Sequence, residues 1–116
     1  MSRGPDPGAM ARLIALAGLV RDARRATAAQ AAAESARLHQ RLRALDATAD
    51  PGSDPAALAA VAAHAVWQRQ ARASCNTALA KARLAESRAA RQAGEAAARA
   101  AILARLGQPA GRRRTR

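Results

Sequence analysis

The chain has 116 residues and a formal net charge of +12, with 38 Ala among its 58 apolar residues, no Phe, no Tyr and a single Trp. Eleven Leu, two Ile and three Val are too few for the contiguous core that a compact domain of this size buries, which excludes the usual enzyme architecture with a deep pocket. Alanine orders without losing side-chain entropy and is the best helix former, so the composition predicts an all-α chain of long helices meeting along narrow seams.

Residues 1–9 combine two Pro and two Gly and read as a disordered leader, with Met10 a second candidate start. From Met10 to Ala49 there is no Pro and one Gly, which predicts one helix of about 60 Å at the α-helical rise. Within it Leu13, Leu16, Val20, Ala23, Thr27 and Gln30 follow a 3-4 spacing that resumes at Leu38, Leu42, Leu45 and Ala49. The eleven-residue step from Thr27 to Leu38 predicts a stutter that flattens the supercoil. The run Leu13–Val20 resembles a signal-peptide apolar region, but Arg21, Arg24 and Arg25 follow where a neutral cleavage site belongs. It is also too short for a membrane span.

Asp50-Pro51-Gly52-Ser53-Asp54-Pro55 must turn the chain. Pro and Gly stop the first helix, and Asp54 followed by Pro55 is an N-cap with Pro at the first helical position. The turn is placed at 50–54 and the second helix at 55–106, near 78 Å by the same rise. Its seam keeps one frame: Leu58, Val61, Ala65, Gln68, Arg72, Cys75, Leu79, Ala82, Glu86, Ala89, Ala93, Ala96, Ala100 and Leu103. Gly107 and Pro109 punctuate its end, and residues 107–116 read as a basic, disordered tail. Folding about Gly52 sets Leu45 opposite Ala60 and Val61, Thr27 opposite Leu79, and Leu16 opposite Ala89. The expected fold is therefore an antiparallel coiled-coil hairpin, closely packed and marginal when alone.

Chemistry-bearing constellations are sparse. His39 and His64 fall near one level across the hairpin, but a metal site needs a third ligand and none is nearby in sequence. Cys75 stands alone, so it forms no internal disulfide; it fits a reducing compartment and lies on the seam frame as a small apolar residue. No catalytic, cofactor or metal site is expected. Trp67 stands one residue off the seam and reads either as a partner anchor or as packing against Leu38. Nineteen of the twenty basic residues are Arg, so acidic surfaces or polyanions are the expected partners. At the far end from the turn, Ile14, Leu19, Ile102 and Leu106 add apolar surface among Arg12, Arg99 and Arg105.

The opening Leu13-x-x-Leu16-x-x-Leu19-Val20-Arg21, the charged Ala-rich helix after it, the short turn, Trp67-Gln68-Arg69-Gln70-Ala71-Arg72 and the stretch from Ala85 through Leu103 and Leu106 together resemble the FliJ family of flagellar type III export proteins and its injectisome stalk relatives. The resemblance covers most of residues 10–106. It implies a cytoplasmic, non-catalytic adaptor, peripheral to the inner-membrane export machinery, whose two chain ends enter a hexameric export ATPase while the turn-proximal second helix meets the export gate. By position, the ATPase-facing residues are Leu13, Leu16, Val20, Arg99, Leu103 and Arg105, and the gate-facing ones Trp67 and Ala71. This chain is shorter than the family's usual length, richer in Ala in its second helix, and carries an Arg tail that the family pattern does not require. The alternative function is that of a basic, histone-like nucleic-acid-binding protein using Arg112, Arg113, Arg114 and Arg116 on phosphates. A third is a membrane-surface amphipathic element at residues 10–25.

Overall fold

The computed structural model describes residues 6–46, 52 and 54–108. Two helices, α1 (Pro7–Leu45) and α2 (Pro55–Leu106), account for nearly all of them, and no strand occurs among the described residues. The chain is an antiparallel helical hairpin, as the composition and the central turn signal predict. No helix among the described residues is long and apolar enough to cross a membrane.

Both helices start in the same way. The Asp6 carbonyl accepts the Met10 N–H at 2.8 Å and its carboxylate the Gly8 N–H at 3.4 Å. The Asp54 carbonyl accepts the Leu58 N–H at 2.8 Å and its carboxylate the Ala56 N–H at 3.1 Å. An Asp cap followed by Pro satisfies donors that the first turn leaves unpaired, and Pro at the first helical position gives up an N–H that had no partner. The cap expected at Asp54 is therefore present. Asp6 builds a matching one, so α1 starts at Pro7, three residues earlier than expected, and Pro7 to Ala9 belong to the helix instead of a leader. At the other end α1 stops at Leu45, four residues short of Ala49. Residues 1–5, 47–51, 53 and 109–116, which include parts of the expected leader and turn and most of the expected tail, lie outside the described residues.

The hairpin divides into two compact units, one of residues 30–86 and the other of the two helix segments up to Ala29 and from Ser87. In the 30–86 unit Leu38, Cys75 and Leu79 form a small buried cluster with Leu42, Leu45, Ala78 and Ala82 packed against it. The Cys75 thiol donates to the Leu38 carbonyl at 3.4 Å, and the Gln68 amide donates to the Leu45 carbonyl at 3.2 Å. The register differs from a fold about Gly52: Leu45 meets Gln68, not Ala60 and Val61. Because α1 ends at Leu45 while α2 already begins at Pro55, α2 runs more than three turns before reaching the level of Leu45.

In the other unit the buried side chains are Ala89, Ala96 and Ala100, and on α1 Met10, Ile14, Ala17, Gly18 and Arg21 are half-buried. Arg24 Nη1 donates to Gln92 Oε1 at 3.2 Å, and a Cβ placed on Gly107 would lie 2.5 Å from Ile14 Cδ1. These contacts carry the same shift: Val20 lies at the level of Ala96, so Leu16 does not face Ala89.

The seam of α2 is close to the expected one. Every expected position is shielded except Leu58 and Arg72, whose places Ala57 and Ala71 take. The seam of α1 is not. Most of its shielded residues, Met10, Ile14, Ala17, Arg21, Ala28, Ala31, Ser35, Leu38, Leu42 and Leu45, alternate steps of three and four once the cross-bonding Arg24 is included, with Ala9 and Gly18 shielded beside that frame. The heptad frame is unbroken and there is no stutter. The 3-4 spacing chosen on large residues put Leu13, Leu16 and Val20 inside; they are 49%, 57% and 46% exposed. The cause is steric. The alanines of α2 make contact only if the axes approach closely, and that needs Ala17 and Gly18 at the interface instead of leucines.

This frame separates two substitutions that the stuttered frame would make equivalent. Leu38→Ala should cost about 2–4 kcal/mol by emptying a packed site, whereas Leu16→Ala should change stability by less than about 0.5 kcal/mol. Urea melts followed by circular dichroism measure both.

Candidate functional site: two exposed faces

The unit of residues 6–29 and 87–108 buries Ala89, Ala96 and Ala100 and leaves several of its large side chains exposed. Leu13, Leu16 and Val20 recur at three and four residues and form one stripe along α1. Val20 and Leu103 form the walls of a groove of about 180 Å³ floored by Ala17 and Ala96, with Arg99 on its rim. Ile102 and Leu106 are 53% and 62% exposed on α2. Arg105, in the last turn of α2, is exposed two residues from Leu103 and does not line the groove. Of the residues singled out at this end, the structure thus brings together Val20, Arg99 and Leu103, lays Leu13 and Leu16 on the same stripe, and leaves Arg105 apart. Patches of several large apolar side chains are uncommon on a free surface and mark contact sites.

The second face belongs to the 30–86 unit. Trp67 is 51% exposed and stacks on His64, one helical turn earlier, with ring centroids 5.3 Å apart and planes at 23°. With Ala71, Leu38, Arg41 and Ser74 it lines a groove of about 420 Å³ that reaches Cys75. Trp67 borders the same groove as Leu38, and about half of the residue stays open. Sequence reading missed Arg41 and Ser74, which stand on different helices and meet only in the true register. The His64–Trp67 pair was legible in principle, since residues three apart share a helix face.

Among the described residues no three His, Cys, Asp or Glu side chains are grouped to hold a metal; His39 is exposed and His64 is engaged with Trp67. Some arginines are neutralised locally. Arg37 donates from Nε and Nη2 to both Glu34 carboxylate oxygens at 3.0 and 2.7 Å. Arg72 Nη2 lies 2.6 Å from Asp46 Oδ1, and Arg21 Nε lies 3.1 Å from Asp22. Arg72, expected in the seam, instead reaches around to the residue that follows α1. The Arg37 hydrogen bonds lower the Glu34 pKa and raise that of Arg37. Both groups are exposed, so the pair adds little to stability.

No protein-family model, curated protein or solved structure matches the chain.

Two measurements check the geometry of these faces. The Glu34 carboxyl should titrate below the ordinary glutamate value of about 4.3 and return towards it in Arg37→Gln, read by carboxyl chemical shifts against pH. Trp67, half open and stacked on an imidazole, should be readily quenched by acrylamide, and His64→Ala should change its emission intensity without loss of helicity.

Proposed function

We propose that the chain is a non-catalytic coiled-coil adaptor, the stalk component of a flagellar-type (type III) protein export apparatus. In this reading the end carrying Leu13, Leu16, Val20 and Leu103 docks on a hexameric export ATPase. The face around Trp67 and Ala71 meets the export gate. The protein works in the cytoplasm, peripheral to the inner-membrane machinery.

The observation that carries the reading is the exposure of Leu13, Leu16, Leu19, Val20 and Leu106 in a terminal unit whose buried side chains are Ala89, Ala96 and Ala100. A hairpin of this kind stabilises itself weakly and presents apolar surface at a fixed spacing, which suits a rod that acts through contacts along its sides and ends. Arg99 on the groove rim and Arg105 in the last turn of α2 supply steering towards acidic faces. The resemblance of the leucine-rich opening and the Trp67–Arg72 stretch to the FliJ family gives the partners their identity.

The histone-like alternative uses the same arginines on phosphates. It gives the exposed leucines no role, and in it Arg21, Arg37 and Arg72 would have to leave carboxylate partners.

The chain should co-elute with a hexameric export ATPase at low salt, and the double substitution Arg99→Glu, Arg105→Glu should slow association by about tenfold. An unchanged association rate removes the steering role. A duplex gel shift whose affinity falls steeply with salt, without ATPase retention, favours the nucleic-acid reading.

A further inference from the structure

We infer that the terminal unit is a two-helix platform completed by a third helix: an amphipathic segment with acidic flanks, supplied by another protein and laid along Leu13, Leu16, Val20 and Leu103. The inference does not rest on the export assignment, because it follows from what this unit leaves open.

The shape of the face selects a helix. Its stripe on α1 repeats at three and four residues, which is the spacing of the knobs that a neighbouring helix interleaves. Beside it, Val20 on α1 and Leu103 on α2 rise on either side of an alanine floor made by Ala17 and Ala96. That concavity lies between two helices and accepts a row of protruding side chains, as in helix-in-groove recognition. A bilayer is matched by the convex face of a single helix and gains little from such a slot. From Leu13 to Arg24 the face is about 17 Å long, enough for three turns of a partner.

The charge around the face selects the sign. Residues 6–29 and 87–108 hold eight Arg (12, 21, 24, 25, 88, 91, 99 and 105) against Asp6, Asp22 and Glu95. Asp22 is already held by Arg21 and Asp6 caps α1. Arg99 stands on the groove rim, and Arg24, which continues the leucine stripe by one turn, bridges the helices through Gln92. A second copy would bring the same excess of arginine to the same place, and like charges across an interface are unfavourable. Glutamates at the flanks of an apolar stripe would instead meet Arg99 at one edge and Arg24 at the end.

The test uses the full chain and two labelled synthetic helices of about four turns. Both carry Leu at i, i+3, i+4 and i+7; one has Glu and the other Lys at the flanking positions. Fluorescence anisotropy should give a Kd of tens of micromolar or tighter for the Glu peptide and at least about tenfold weaker binding for the Lys peptide. Leu16→Gln with Val20→Gln should weaken the Glu peptide by about tenfold or more while circular dichroism stays unchanged, since both side chains lie outside the seam. Arg99→Glu should narrow the difference between the peptides. Leu84→Gln, which removes an exposed leucine of the other unit, should leave binding as it was. Equal affinity for the two peptides overturns the assigned charge, and no binding of the Glu peptide by about 100 µM overturns the platform. Two results reassign the face: a concentration-dependent dimer that the Leu16, Val20 double variant abolishes gives it to a second copy, and anionic-vesicle co-sedimentation lost in that variant, without peptide binding, gives it to lipid. Either overturns the inference. ATPase co-elution is a separate readout, so the peptide result and the export reading can fail independently.

Discussion

The distance between the two helix axes governs the rest of this structure. Alanine side chains contact one another only when the backbones come close, and where α2 commits Ala89, Ala93, Ala96 and Ala100 to the seam, α1 brings Ala17 and Gly18 inward. Met10, Ile14 and Arg21 are the larger residues that share the seam there, half-buried. Leu13, Leu16 and Val20 lie outside the frame that those residues set, and the surface that suggests a function is a by-product of how the seam is packed.

The other unit solves the same problem with different residues. Leu38, Leu42 and Leu45 face Cys75, Leu79 and the neighbouring alanines, and two side-chain bonds across the interface, from Cys75 to the Leu38 carbonyl and from Gln68 to the Leu45 carbonyl, tie positions on one helix to positions on the other. This cluster has the chemical variety to specify a register: a thiol, an amide and branched aliphatics of different shape cannot be exchanged along the seam.

Much of this was legible in the residues. Composition and the Asp-Pro signal gave two helices and an antiparallel fold. The frame of α2 could be read almost entirely, because its aliphatic and cysteine positions agree with its alanine positions. The frame of α1 could not, because size and periodicity disagree there. Following the large residues requires a stutter, following the small ones does not, and only the packing against α2 decides. Register was misread for a related reason: a tight fold about Gly52 assumes that both helices reach the turn, whereas α1 ends at Leu45. The cap at Asp6 was visible as an Asp-Pro pair identical to that at 54–55, but the adjoining Pro and Gly obscured it. Of the candidate site residues, Val20, Arg99 and Leu103 meet around one groove and Trp67 and Ala71 line another. Arg41 and Ser74 needed the correct register to be noticed.

The alanine seam also sets how the two helix segments resist sliding. Leucines interlock as large knobs in deep holes, so moving one helix along another means lifting each knob out. The α2 side of the terminal seam is mostly a row of methyl groups repeating every three or four residues, nearly smooth and nearly self-similar after a heptad, and uniform packing of this kind specifies position poorly. Axial displacement there meets a shallow corrugation along the alanines, with Ile14, Arg21 and the Arg24–Gln92 bond as its stops. In mechanical terms this end is closer to a plain bearing than to a keyed joint.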